Sequence, residues 1–335
     1  MQIRPPFGIP WYRLFIRPLL FRFPPEPAQR IADQALAMRP IWRAYAGVAN
    51  VPPVPATVAG IVLRNPIGLA AGLDKQCAFL DSLSHFGFGY VIGGTITYDA
   101  RPGNPKPRVL RLPKQQSLIN ALGFPSEGLA AAAARLRQLR DRPARVFVSI
   151  AALDEQETRE CLTTLEPLVD AIEVNISSPN TAGLRRFQEP IALRGLLDFL
   201  NDARKKPLFI KIPPYVNDAE HELVISLVRV CREAGVTGIT AANTIPLEDA
   251  ATATGRGGLS GKAILADMLR ILPEIRAEAG ADMVVNACGG VASAHDARRA
   301  LASGADTVQL YTALVYQGPG VVSKIVKGLA GSSLT

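Results

Sequence analysis

Eight short apolar runs, each ending on small or polar residues, constrain this chain more than any other feature. Their last six residues are Gly68–Leu73, Tyr90–Thr95, Val146–Ala151, Ala171–Ile176, Leu208–Pro213, Gly238–Asn243, Met283–Cys288 and Thr307–Thr312, and helix-like stretches separate them. A strand buried on both faces reads as an unbroken apolar run. Eight such runs alternating with helices are the sequence form of a (β/α)8 barrel of the TIM type. In that architecture the working face lies at the C-terminal ends of the strands, so function is sought in the residues at and just after the end of each run. Here those are Asp74-Lys75, Thr95, Ser177-Ser178-Pro179-Asn180, Lys211, Asn243-Thr244, Gly289-Gly290 and Tyr311-Thr312. This polar ring stands out in a chain that is 48% hydrophobic and 20% charged.

At 335 residues the length fits one barrel with an appendage. The appendage is expected at residues 1–50 and the barrel at 51–335, with Val51-Pro52-Pro53-Val54-Pro55 as a stiff connection. The four cysteines are widely spaced with no C-x-x-C pair, which argues against a zinc site or a disulfide framework and for a reducing compartment. The histidines His85, His221 and His295 fall in helix-like stretches, so no metal site is expected at the strand ends. The net charge of +8 is dispersed and no nucleic-acid motif accompanies it, so nucleic acid is not an expected partner.

The first fifty residues are different. Arg4, Arg13, Arg17, Arg22, Arg30, Arg39 and Arg43 face only Glu26 and Asp33, and aromatic and aliphatic residues from Trp11 to Phe23 lie between them. Arginines and Pro18 interrupt the apolar run, so it is not a membrane-crossing helix. The stretch also lacks the clean apolar core of a secretory signal. A basic, aromatic segment suits the interface of an anionic membrane. The other reading is an ordinary helix covering the barrel.

Between the second and third runs the chain makes a long excursion, Ile96 to Arg145. It carries Arg101-Pro-Gly-Asn-Pro-Lys-Pro-Arg-Val-Leu-Arg-Leu-Pro113, then Ser117 to Phe124, then an Ala-rich helix from Glu127. Long loops on the working face are usually functional. Glycines after the seventh run, with a helix starting near Ser293, could present N–H groups to a phosphate, and Gly257 to Gly261 after the sixth run could add donors. Lys211, among apolar strand residues, is costly to bury unpaired. A structural ion pair, a catalytic lysine and a counter-ion for an anionic cofactor all remain open for it and for Lys75. The serines of Asn175-Ile176-Ser177-Ser178-Pro179-Asn180 have no G-x-S-x-G elbow and no strand-end histidine, which argues against a hydrolase triad. The surrounding asparagines suit an amide-rich ring, since each offers donors and acceptors.

Taken together, N-P-I-G-L-A-A-G-L-D-K, G-N-P-K-P-R-V-L-R-L-P, I-N-A-L-G-F, V-N-I-S-S-P-N-T-A-G-L-R, G-G-L-S-G-K and Q-L-Y-T-A-L, in this order from about Trp11 to about Lys327, resemble the dihydroorotate dehydrogenases of the membrane-associated, quinone-using class. Ser178, where soluble classes carry cysteine, and the basic N-terminus both point to that class. The resemblance implies oxidation of dihydroorotate to orotate, with hydride passing from C6 to N5 of FMN and Ser178 taking the C5 proton. It implies that Lys75, Asn120, Asn175, Asn180, Asn243 and Thr244 hold the substrate, with Ala121, Leu122, Gly123 and Phe124 beside it. Ala71, Gly72, Leu73, Asp74, Lys75, Thr95, Ser149 and Asn175 would then contact FMN. Lys211 and Ala242 would lie at its ring, and Gly261, Gly290, Tyr311 and Thr312 at its phosphate end. The N-terminal helices would form a tunnel for ubiquinone or menaquinone with Arg111 near the quinone. The protein would be peripheral, at the cytoplasmic face of a bacterial inner membrane.

The chain also departs from that pattern. Ser149 stands where the family has an asparagine, Gly93 where an acid is usual, Ala242 where threonine is usual and Pro125 where asparagine is usual. The loop after the third run is shorter. These changes leave an alternative, a divergent flavin-binding paralogue with another substrate or none, acting as a binding protein.

Overall fold

A computed structural model describes residues 11–178, 184–248 and 251–331. After a π-helical turn at Tyr12–Ile16, the N-terminal helices are α1 (Arg17–Leu20), α2 (Pro25–Ala37) and α3 (Arg39–Ala49). Each of the three has proline in its first turn, where the ring's fixed φ suits the helix and its missing N–H costs nothing. A hairpin of β1 (Ala56–Val58) and β2 (Ile61–Leu63) comes after them. Next come β3 (Ile67–Leu69), α4 (Leu80–Ser84), β4 (Tyr90–Ile96), β5 (Val109–Leu112), β6 (Ser117–Asn120), α5 (Leu129–Gln138), β7 (Arg145–Ala151) and α6 (Glu155–Leu165). The chain continues through β8 (Ala171–Asn175), α7 (Pro190–Asn201), β9 (Leu208–Lys211), α8 (Asp218–Glu233), β10 (Gly238–Ala241), β11 (Ile245–Glu248) and β12 (Arg256–Gly261). It closes with α9 (Leu265–Ala279), β13 (Val284–Cys288), α10 (Ala294–Ala302), β14 (Thr307–Leu310), α11 (Thr312–Gln317) and α12 (Gly320–Ala330).

Strands β3, β4, β7, β8, β9, β10, β13 and β14 close into one parallel barrel, so all eight apolar runs are barrel strands. Capping residues fix where several outer helices start. Asp154 accepts from the N–H groups of Gln156 and Glu157 ahead of α6, Asn217 from Glu220 ahead of α8, and Ser293 from Asp296 ahead of α10. Inside the barrel the rings of Tyr90, Phe147 and Phe209 stack, with centroids 4.8 and 5.7 Å apart. Val58 and Leu63 of the β1–β2 hairpin join this inner cluster, which plugs the N-terminal end of the barrel. Beyond the rings the interior turns polar: Thr240 Oγ1 donates to Glu173 Oε2 at 2.8 Å, and Thr307 Oγ1 to Asn286 Oδ1 at 2.6 Å.

The excursion after β4 and the one after β10 meet. They form a four-stranded antiparallel sheet, β11-β12-β6-β5, over the working face. Gly257 to Gly261, expected as an anion-binding loop, are therefore strand residues of β12, with Gly257 paired to β11 and Gly258 to Gly261 paired to β6. Of these, Ser260 and Gly261, at the end of β12, line the cavity.

The N-terminal helices share the barrel's outer core. Leu36, Trp42 and Ala49 pack on it, and Trp42 and Tyr45 lie against Phe86 at centroid distances of 4.9 and 6.0 Å. Arg39 and Arg43 of α3 reach Asp81 of α4, and Arg43 Nε lies 3.0 Å from Asp141. Asp81, His85 and Asp141 are close enough to share an ion, but these guanidinium groups already neutralise the two carboxylates. The opposite face of these helices is apolar and open: Trp11, Leu14, Phe15, Ile16, Leu19 and Phe23 are exposed. No described helix is long and apolar enough to cross a membrane.

Candidate active site

One cavity of about 1160 Å³ runs from the C-terminal strand ends, under the four-stranded sheet, to the N-terminal helices. Its polar end is built from residues at the ends of the barrel strands and in the loops beyond them. Ala71, Gly72, Leu73 and Lys75 come after β3, Thr95 belongs to β4, and Asn175 ends β8 with Ser178 shortly after it. Lys211 ends β9, Ala242, Asn243 and Thr244 come after β10, Gly290 after β13, and Tyr311 and Thr312 after β14. Asn120, Leu122, Gly123 and Phe124 come in from the end of β6, and Gly261 from the end of β12.

Three residues expected at the site do not line the cavity. Asp74 is buried behind it, where its carboxylate accepts the N–H groups of Ala78 (2.9 Å) and Phe79 (2.7 Å) and so shapes the loop that carries Lys75. Ser149 is fully buried, its hydroxyl 3.1 Å from Thr95 Oγ1, so it supports Thr95 from below. Ala121 is fully buried under the roof. Asn180 lies outside the described residues.

The polar residues are held by one another. Asn243 Nδ2 donates to Ser177 Oγ (2.9 Å), and Ser177 Oγ donates to Asn175 Oδ1 (3.0 Å). Asn175 Nδ2 reaches Thr95 Oγ1 at 3.4 Å, and Asn120 Nδ2 donates to the Gly258 carbonyl at 3.3 Å. Ser177 is thus a hub that orients two asparagines. Sequence reasoning gave it no role, although its place beside Ser178 was the available signal. Gln309 was also missed: it lines the cavity floor and donates to Thr240 Oγ1 at 3.4 Å.

Lys211 and Lys75 face the polar end of this cavity. Lys211 is 5% exposed, and its ammonium makes no hydrogen bond or salt bridge among the described residues. Burial works to lower its pKa, but the nearby Cys288 and Glu173 more than offset that and hold it raised. Burial pushes the Cys288 thiol itself up, which leaves the Glu173 carboxylate as the effective counter-charge. Lys75 also has no hydrogen-bond partner among the described residues, and burial lowers its pKa against the opposing pull of Asp33 and Asp74.

The donor set suits FMN. The backbone N–H groups of Gly290 and Val291 have no acceptor among the described residues, and α10 begins just beyond them, so they present donors to an anion. Lys211 supplies an unpaired charge for an electron-rich ring. Gly290 must be glycine: φ is 77°, and a Cβ would sit 2.8 Å from the Gly261 carbonyl oxygen and from Leu265. Gly290→Ala is expected to cost more than about 1 kcal/mol of stability and to lower flavin occupancy, read by thermal unfolding and absorbance.

The model of the family described as dihydroorotate dehydrogenase matches residues 54–332. The dihydroorotate dehydrogenase (quinone) of Halorhodospira halophila is 37% identical, over 94% of this chain and 97% of that protein. The chain belongs to the dihydroorotate dehydrogenase family. The protein of the same name from Leptothrix cholodnii is also 37% identical, over 94% of this chain and 97% of its own. Among solved structures, the DHODH of Eimeria tenella in complex with ferulenol superposes with a TM-score of 0.79 at 27% identity, covering 92% of this chain and 91% of that one.

Membership in the dihydroorotate dehydrogenase family makes the departures legible. A Cβ on Gly93 would sit 2.6 Å from Cys77 Sγ, so cysteine fills that space. Ala242, in place of threonine, still lines the cavity, and so does Pro125, whose carbonyl accepts from Gln76.

Proposed function

We propose that this chain oxidises dihydroorotate to orotate through bound FMN and passes the electrons to a membrane quinone, ubiquinone or menaquinone. The observation that carries this reading is the single cavity joining an asparagine-rich strand-end site to an apolar passage among the N-terminal helices. A reaction that takes electrons from a polar ring and gives them to a greasy acceptor needs both ends in one space.

Making a carbon–carbon double bond in dihydroorotate removes a hydride and a proton from adjacent carbons. FMN, when bound, supplies the hydride acceptor. Ser178 Oγ, lining the cavity just beyond β8, takes the proton, the role the family resemblance implies for it. Asn120, Asn175, Asn243 and Thr244 hold the ring through amide and hydroxyl groups. Lys75 offsets the substrate's negative charge, and Lys211 stabilises negative charge on the reduced flavin. Gly261, Gly290, Tyr311 and Thr312 would hold the phosphate end of FMN.

At the other end Tyr12, Leu20 and Phe21 line the passage. Arg111 stacks over Phe21 at 4.4 Å and donates to the Phe23 carbonyl at 2.7 Å, which fixes the entrance segment. The exposed face of Trp11, Phe15 and Leu19 rests in the headgroup region of an anionic membrane, with the arginines on lipid phosphates. The paralogue without this chemistry is the weaker reading, because the polar end is complete where it is described.

Purified protein is expected to be yellow and to release FMN into the supernatant when denatured. Bleaching of its flavin on addition of dihydroorotate tests the activity. Colourless protein that does not take up FMN would overturn the cofactor assignment.

A further inference from the structure

Among the described residues that line the cavity, Asp33 is the one acid, on a stretch of wall that is mostly apolar. It stands on α2, lines the cavity between Ala32 and Leu36, and is half-buried. Its carboxylate makes no hydrogen bond or salt bridge among the described residues. The charged and titratable groups that face it come from two other elements: Asp74 and Lys75 after β3, and Tyr311 after β14. Asp74 is engaged by two backbone N–H groups, and the Tyr311 hydroxyl lies 3.5 Å from the Gly72 carbonyl. Arg108 and Glu26, which act on Lys75, pair with each other at 3.0 Å. Asp33 and Lys75 are therefore the facing acid and base left with no other ionic partner among the described residues.

We propose that Asp33 delivers a proton to the quinone as it is reduced, and that water outside α2 recharges it. The inference rests on the function proposed above. Reducing a quinone to a quinol takes two electrons and two protons. The electrons come from dihydroorotate by way of the flavin, and one proton travels with them as hydride. The other proton of dihydroorotate leaves through Ser178 beyond the end of β8, so the quinol needs a second proton from elsewhere. In the proposed step the Asp33 O–H bond breaks and a quinol O–H bond forms. The resulting carboxylate faces the Lys75 ammonium, and a proton from water then restores the acid.

Other groups on this side are poorer donors. Arg111 keeps its proton, and burial raises the hydroxyls of Tyr12 and Tyr316. Burial raises Asp33 to about 6, with Lys75 opposing, which places its proton in an exchangeable range near neutrality.

The test uses the full-length, flavin-loaded protein with Asp33→Asn and Asp33→Glu. Flavin reduction by dihydroorotate and reoxidation by a short-chain ubiquinone are followed separately by stopped flow from pH 5 to 8. In Asp33→Asn, reoxidation is expected to fall at least about tenfold more than reduction does. Wild-type reoxidation should decline as pH rises through about 6, Asp33→Asn should lose that dependence, and Asp33→Glu should restore it.

A second readout does not depend on turnover. A carboxyl raised from 3.8 to about 6 keeps a proton in the folded state that the unfolded state has lost. Stability in urea should therefore fall between those two pH values in wild type, and fall less in Asp33→Asn. An Asp33→Asn protein with the native reoxidation rate and pH profile overturns the proposal, as does an unchanged stability slope. If dihydroorotate fails to bleach the wild-type flavin, the enzymatic reading fails instead, and the proton donor falls with it.

Discussion

Ser178→Ala is expected to slow flavin reduction by dihydroorotate by about 10²-fold or more, the usual loss when a positioned proton acceptor is removed. Ser178 is 9% exposed and lines the cavity just beyond β8, where Asn175 and Asn243 are tied together through Ser177. The substitution removes one oxygen and leaves that hub in place, so binding should change far less than rate. Ser178→Cys should retain more activity than alanine, because a thiolate forms more readily than an alkoxide. Stopped-flow bleaching at saturating dihydroorotate measures both. A native rate in the alanine variant near neutral pH would remove Ser178 from the mechanism.

Filling the passage should separate the two halves of the reaction. Ala32 lines the cavity on α2, and Ala32→Trp places a large ring in the apolar passage without touching the strand ends. Turnover with a long-tailed quinone is expected to fall at least about tenfold, the equivalent of about 1.4 kcal/mol in barrier. Turnover with a small soluble dye should stay close to that of the unaltered protein, because a dye need not thread the passage. Equal losses with both acceptors would show that the tryptophan acts on the barrel, and equal quinone turnover would place the quinone elsewhere.

The barrel was readable because parallel strands covered on both faces leave few polar positions to interrupt the run. Strand limits were less readable. The run ending at Leu73 is a strand only over Ile67–Leu69, since Gly72 has φ of 104° and turns the chain toward Lys75. The roof was harder still. Every residue of β5 is only half-buried, and β12 opens with glycines after Arg256, so neither shows the alternation that marks a strand. Their partners lie far away in the chain, where no local pattern reports them. The strand-end lysines and asparagines could be found because the fold class says where to look. Asp74 and Ser149 share that position in sequence, yet their side chains turn into the loop and the barrel wall. Asp33 had no local signal either: an acid on an amphipathic helix is ordinary until the fold sets Lys75 opposite it.

The pairing of β6 with β12 also bears on how the chain acquires its shape. Asn120 and Gly258, joined across the roof, are 138 residues apart. The four barrel strands β7, β8, β9 and β10 are laid down between them. Contacts of such long separation form late, because the closure entropy of the intervening loop has to be met first. During synthesis β5 and β6 therefore emerge as a solitary two-stranded ribbon, marginal in water by itself, and wait for Gly258 to leave the ribosome before the roof can close.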